Sequence, residues 1–346
     1  MKNLYSSQIY LQDLNDCVES LNIWERFRNK KLLITGAGGL VCSAVIDVLW
    51  FASKKLGLNL TIYAAGRNRE KIQARFGDAV NFVEYDALKP ITFNVKADYI
   101  IHGASNATPN FYSTQPVETM MANLDGIKNL LDFALKTKAE KIMYVSSSEV
   151  YGKKEFSEAF SEENYGFLDV LNPRSCYAQA KRASETLCAS YKAQHGVDFN
   201  IVRLGHIYGP TALTTDNRVS SDFAFKATKG ETIVMKSDGA QIRSYCHCLD
   251  CASAMITVLA LGISGEAYNI SNENSIISIK EMAQLLASAG NVEIAFEVPT
   301  QAEKAAFNPM QNSSLDNTKL RALGWKGIFS AEKGLTNTVN VLKQII

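Results

Sequence analysis

A chain of 346 residues with a net charge of +1 and no basic stripe is poorly suited to binding nucleic acid. No apolar run reaches membrane-spanning length, which argues against a membrane partner, and 47% hydrophobic residues suffice for one large or two modest cores. Seven cysteines, an odd number, suit a reducing cytoplasm better than a disulfide framework.

Residues 1–31 alternate polar and apolar side chains around Leu11, Leu14, Val18, Leu21 and Trp24. That pattern predicts an amphipathic leader packed on the domain rather than a signal peptide. Lys31 to Thr35 is a short apolar run, hence a buried strand. It leads into Gly36-Ala37-Gly38-Gly39-Leu40-Val41-Cys42 and then an apolar helical stretch from Ser43 to Ala52. Glycine between strand and helix lets the backbone turn tightly and approach a pyrophosphate at the helix N-terminus. Gly36, Gly38, Gly39 and Leu40 are therefore cofactor-binding candidates. The last position of the turn, usually glycine for close helix–strand packing, is Cys42, which is small enough to substitute.

The second strand, Leu60 to Ala65, ends in Gly66-Arg67-Asn68. A dinucleotide site that prefers NAD offers an acid here to the ribose 2′-hydroxyl. This chain has none until Glu70. Arg67 and Asn68 instead suit a 2′-phosphate, so NADP is favoured over NAD. Further strands are expected at 80–85, 99–102, 141–146 and 199–204, with helices over 117–136 and 175–195 between them. Strand–helix alternation predicts an α/β fold with a doubly wound parallel sheet. Asp86, followed by Ala87, is placed just past a strand to meet the adenine. Gly103, Ala104 and Ser105 follow the fourth strand and leave room for the dinucleotide.

Ser146, Ser147 and Ser148 end the fifth strand, and Tyr177 and Lys181 lie four residues apart on the following helix. That spacing places both side chains on one face. An ammonium beside a phenol favours the phenolate and draws a reference pKa of about 10 toward neutrality. With a serine hydroxyl to hold the substrate oxygen, the set can take a proton from an alcohol while a hydride leaves the same carbon. Cys246-His247-Cys248-Leu249-Asp250-Cys251 has the residue types of a metal cluster. Yet the residues lie on one strand-to-helix passage without a second cluster, so buried thiols and no metal are expected.

With these motifs in order, the chain resembles the extended short-chain dehydrogenase/reductase family of sugar-nucleotide epimerases, dehydratases and decarboxylases. Within it the likeness is strongest to the UDP-glucuronate decarboxylase branch. The carrying segments are His102-Gly103-Ala104-Ser105-Asn106-Ala107-Thr108-Pro109 with Tyr112, Pro116 and Val117; Ser146 to Gly152; Pro173 to Tyr177 with Lys181-Arg182; Arg218 to Phe223; and Arg243-Ser244-Tyr245. The likeness runs from Lys31 onward. The chain departs from the family at Gly66-Arg67, at His206 where an Asn is usual, and at Thr211 where an Arg often stands. It also lacks the expected basic residues from Asn308 to Leu315.

The resemblance implies a Rossmann domain over 1–204, including the leader, and a smaller C-terminal α/β substrate domain over 205–346. Within the latter, 246–268 would return to the first domain. It implies Tyr177 as base, Lys181 as its activator and ribose ligand, Ser147 as the hydroxyl that orients substrate, and Glu149 as a second acid/base group. Asn123 would shape the active-site helix and border the cofactor. Asn106, Tyr112, His206, Arg218 and Arg243 would contact a nucleotide-sugar substrate. The activity implied is transient oxidation at carbon 4 of the sugar, leading to an epimer, a dehydrated sugar or a decarboxylated one. The family's dehydratases carry Asp-Glu after the catalytic hydroxyl. Here the pair is Ser148-Glu149, which argues against simple dehydration. The alternatives are an NADPH-dependent 4-keto-sugar reductase and a non-catalytic NADP-binding regulator. Helices 117–136 and 175–195 would pair with a second copy as a homodimer.

Overall fold

A computed structural model describes residues 3–107, 109–154, 157–300 and 310–346. Thr108 of the loop motif and the Asn308 end of the stretch lacking basic residues lie outside them. Strands β1 (Lys31–Thr35), β2 (Thr61–Gly66), β3 (Asn81–Glu84), β4 (Tyr99–His102), β5 (Lys141–Ser147), β6 (Phe199–Leu204) and β10 (Ala267–Ile270) form one sheet. Its order is β10-β6-β5-β4-β1-β2-β3, and every pairing is parallel. The doubly wound parallel sheet expected from the alternation is present. Helices cover both faces, so β1 and β4 are mostly apolar runs rather than alternating ones; β6 is buried along its whole length, Asn200 and Arg203 included.

Chain order reverses between β1 and β4, which sit side by side. Such a switch point opens a crevice beyond the carboxyl ends of the strands. In register, Thr35 lies opposite both Ala65 and His102, so the loops after β1, β2 and β4 leave the sheet at one level.

On one face, helix α2 (Leu40–Leu56) packs against α8 (Cys248–Leu261). It begins three residues before the stretch predicted from apolar pattern, since Gly39 already serves as its N-cap, and it ends at Gly57 in the left-handed conformation. The leader forms α1 (Gln8–Glu19) against α2 and α8. It is latched by Asp47, a fully buried carboxylate of α2 that accepts from the hydroxyls of Tyr5 and Tyr10 and pairs with Arg75. Arg75 belongs to α3 (Arg69–Phe76). On the other face, α5 (Pro116–Thr137) lies along α6 (Cys176–His195), burying Ile127, Leu130 and Leu131 over Tyr144 and Phe199. Pro116 opens α5, where its missing N–H costs nothing. The short α4 (Pro109–Thr114) precedes it.

The remaining segments hang beyond the carboxyl end of the sheet. Strands β7 (His206–Tyr208), β9 (Ile242–His247) and β11 (Ile276–Ser278) form a small sheet. Strand β8 (Ile233–Met235) pairs with β12 (Ile294–Phe296), and α7 (Val219–Lys229) and α9 (Ile279–Gly290) pack together. All seven cysteines are free and buried. Among the described residues, no group of three or more His, Cys, Asp or Glu side chains converges as a metal site, and no helix is long and apolar enough to cross a membrane.

Candidate active site

The crevice at the switch point gathers most of the residues singled out in the sequence. Gly36 adopts φ +72°, and a Cβ there would lie 2.8 Å from the backbone of Gly103. The two loops therefore touch main chain to main chain, which only glycine allows. Beside Gly38 nothing lies within 4 Å of an added Cβ, so this part of the turn faces open space. Gly39 then starts α2 without a side-chain cap, leaving the N–H groups of its first turn, at Leu40 and beyond, turned to that space. A turn of this shape at an uncapped helix N-terminus fits a pyrophosphate.

Cys42 shows how the chain manages without the third glycine. A Cβ on Gly103 would collide with Cys42 Sγ. The room usually made on the helix is made on the facing loop instead.

Around this turn, Ala104 N donates to Thr35 Oγ1 at 3.3 Å, and Ser105 Oγ donates to Asn123 Oδ1 at 3.1 Å. Asn123 is fully buried; its amide nitrogen donates to Thr119 O at 2.8 Å, and Tyr144 OH donates to its Oδ1 at 3.3 Å. It ties the loop after β4 to α5. Ala87 sits against Gly126 of α5, where a Cβ would come 3.1 Å from it. Asp86 is half-buried and accepts from Leu88 N at 3.1 Å, so one carboxylate oxygen is engaged in its own turn. Arg67 is exposed beyond β2, with no ion pair or hydrogen bond among the described residues, and Asn68 caps α3 by accepting from Lys71 N at 2.8 Å.

Tyr177 and Lys181 project from one face of α6, as their spacing predicts. Lys181 Nζ lies 5.6 Å from the Tyr177 ring centroid and 4.6 Å from that of Tyr144, and it donates to Val145 O at 2.7 Å. Burial first, then the Glu149 carboxylate, raise the Tyr177 phenol well above its ordinary range, outweighing the polar influence of Ser147, Arg218 and Tyr112, which draws it down. This reverses the direction expected from the Tyr–Lys spacing alone. The reason is mutual burial. Removal from water also lowers Lys181, to about 7, and so weakens the charge meant to stabilise the phenolate.

Two layers of charge border this pair. Beneath it, Ser146 Oγ donates to Glu185 Oε1 at 2.6 Å, and Arg203 Nη2 pairs with Glu185 Oε2 at 2.7 Å. Arg203 also donates to Tyr151 OH at 3.2 Å, and Tyr151 in turn donates to Asn269 Oδ1 at 2.5 Å. Above it, Glu149 is not the free carboxylate its position after Ser147 suggests. Arg174 clasps it through Nη1–Oε2 at 3.1 Å and Nη2–Oε1 at 3.3 Å. The Arg174 guanidinium lies 4.7 Å from the Tyr112 ring centroid, and Tyr112 stacks on Tyr177 at 4.7 Å with an 18° interplanar angle. Arg174 stands inside the Pro173-Arg174-Ser175 turn that opens α6, and nothing local in the sequence signals its partner. Glu185 carries one signal, its place one helical turn beyond Lys181.

The residues expected on the substrate side divide. His206, on β7, is half-buried with Nδ1 unpartnered, and burial followed by Arg243 and Arg218 lowers its pKa to about 3. Arg218 closes its fork on Asp216, with Nε at 2.9 Å from Oδ1. Arg243 is buried and donates to Ile242 O at 2.8 Å and Met310 O at 3.0 Å. Asn106 is half-buried on the loop leading to α4.

A glycine turn at the switch point of a doubly wound parallel sheet, with Ser147, Tyr177 and Lys181 beside it, defines a dinucleotide-dependent oxidoreductase-type site. Residues 32–271 match the NAD dependent epimerase/dehydratase family, and the chain belongs to that family. UDP-glucuronic acid decarboxylase 3 of Arabidopsis thaliana is 30% identical over 89% of this chain and 87% of its own. UDP-glucuronic acid decarboxylase 1 of Xenopus tropicalis is 29% identical over 91% of this chain and 72% of its own. Among solved structures, DesIV, a dTDP-glucose 4,6-dehydratase from Streptomyces venezuelae with NAD bound, superposes with a TM-score of 0.77 at 23% identity. That match covers 91% of this chain and 97% of the other.

Proposed function

We propose that the protein modifies a nucleotide-linked sugar through a 4-keto intermediate, and that the reaction is decarboxylation of a uronate. The observation that carries this reading is the buried Tyr177 ring with Tyr112 stacked on it at 4.7 Å and Lys181 Nζ 5.6 Å from its centroid, beside the glycine turn. The similarity to decarboxylases over most of the chain supports the choice among outcomes.

A nicotinamide dinucleotide, when bound, supplies the hydride acceptor and donor. Gly36, Gly38, Gly39 and Leu40 would hold its pyrophosphate, with Gly103, Ala104, Ser105 and Asn123 along its length and Asp86 and Ala87 at the adenine. Arg67, exposed and unpaired among the described residues, and Asn68 favour the extra phosphate of NADP over NAD. The solved relative named above carries NAD, so this preference is a property proposed for the present chain.

Ser147 orients the sugar 4-hydroxyl and Tyr177 takes its proton. The resulting ketone lets a carboxylate on carbon 5 leave as carbon dioxide, because the electrons pass into an enolate. Glu149, in its protonated form, delivers a proton to carbon 5 of that enolate, and Tyr177 returns its proton to the 4-oxygen as the ketone is reduced back to an alcohol. Asn106, Tyr112 and His206 border the sugar, and Arg218 and Arg243 offer guanidinium groups to the diphosphate. We read 1–204 as the dinucleotide domain and 205–346 as the substrate domain, with 246–268 returning to the first. We also infer a cytoplasmic homodimer paired through α5 and α6; exposed Val117 and Met121 on α5 support the pairing.

Two measurements test the reading. Incubation with a panel of nucleotide sugars, with products read by mass and NMR, should yield a decarboxylated sugar from a uronate. Tyr177→Phe should lower turnover by on the order of 10²–10⁴ while substrate binding survives. Near-parental turnover in that variant would sink the assignment.

A further inference from the structure

We infer that Arg174 is the specificity-determining residue for a carboxylated sugar, and that it recognises the carboxylate by exchanging it for Glu149. The inference rests on the reading of the site above and names the group that selects its substrate class.

Arg174 and Glu149 form a forked pair, the geometry in which a guanidinium reads a carboxylate. The fork is loose, at 3.1 and 3.3 Å, and it is open: the two side chains are 41% and 35% exposed. Water screens such an exposed pair, so a second carboxylate can displace the first at little cost. Of the other arginines of the crevice, Arg203 is 3% exposed and closed on Glu185, while Arg218 and Arg243, held by Asp216 and by two main-chain carbonyls, are assigned above to the diphosphate. The described part of the segment from Asn308 to Leu315 offers no cation at all.

Position points the same way. The Arg174 guanidinium covers Tyr112, which covers Tyr177. A sugar whose 4-hydroxyl reaches Tyr177 has to part this stack, and it meets Arg174 as it does so. Its main chain is held in place, since Arg174 N donates to Asn172 Oδ1 at 3.0 Å. The exchange also frees Glu149. Glu149, freed from the guanidinium, can then take up and deliver the proton needed at carbon 5, a release triggered by the sugar carboxylate and not by a neutral sugar.

The test compares dissociation constants of UDP-glucuronate and UDP-glucose, measured by calorimetry on the full chain with NAD or NADP present. These probes differ only in a carboxylate against a hydroxymethyl group. The parent should prefer UDP-glucuronate by roughly 10–100-fold, the scale of a charge-assisted bond to an ionised group. Arg174→Gln should bring the ratio near unity and leave UDP-glucose within about twofold. Arg174→Lys, which keeps charge and loses the fork, should fall between. A loss of folding would weaken both ligands together, so the ratio separates recognition from structure. An unchanged ratio in Arg174→Gln, or a parent without preference that still reduces its cofactor with UDP-glucose, overturns the inference and leaves the oxidation chemistry standing. A parent that binds neither sugar nucleotide overturns both.

Discussion

Tyr177 and Lys181 lie between two arginine–glutamate pairs that differ in almost every physical respect. Below, Arg203 and Glu185 are 3% and 10% exposed and share their remaining donors and acceptors with Ser146, Tyr151 and Tyr165. Above, Arg174 and Glu149 are more than a third exposed and, among the described residues, hold each other and the face of Tyr112. Removal from water makes the lower pair costly to break, because either ion left alone stays buried and unpaired. Water keeps the upper pair cheap to break. The same two residue types thus build a floor in one place and a movable contact in the other. Burial, not identity, decides which.

The comparison can be broken most severely through chemistry above and stability below. Glu149→Gln should still form reduced cofactor and the 4-keto sugar yet stall there, with product formation lowered by on the order of 10²–10⁴. Single-turnover absorbance at the reduced nicotinamide band, followed by mass analysis of the sugar, reads this directly. Product at the parental rate would return Glu149 to a surface carboxylate. Arg203→Met should cost about 3–5 kcal/mol of stability by urea unfolding. Combining it with Glu185→Leu should recover much of that loss, since no lone ion then remains. If the single variant were as stable as the parent, the lower pair would not be the floor described.

A smaller effect concerns the rim of the cofactor crevice. Arg67→Ala should shift the ratio of NADP to NAD dissociation constants by about tenfold, the scale of one charge-assisted phosphate contact. A ratio that does not move would show that Arg67 never meets the phosphate. The smallest effect sharpens the comparison from the other side: Arg174→Gln should change unfolding free energy by no more than about 1 kcal/mol. A loss as large as that of Arg203→Met would make the two pairs equivalent and remove the contrast.

Much of the frame was legible in the residues. Apolar runs within 31–35 and 99–102 are the strands β1 and β4, because strands covered on both faces are built mostly of apolar side chains. The glycine turn and the Tyr177–Lys181 spacing were equally plain, since both depend on local geometry: a tight turn between strand and helix, and one turn of helix between two side chains. Family resemblance added Ser147 and Glu149 on the same footing.

What tertiary structure alone decided is how these groups are partnered. Cys42 stands in for a glycine because Gly103, sixty-one positions away in sequence, has no Cβ to meet it. Glu149 is clasped by Arg174, twenty-five residues on, and Glu185 by Arg203. The pKa of Tyr177 rises, despite a lysine one turn away, because the fold takes both from water together. Sequence reports residue type and local period. Desolvation and long-range pairing depend on what the chain packs against, and these set the charge at the candidate site.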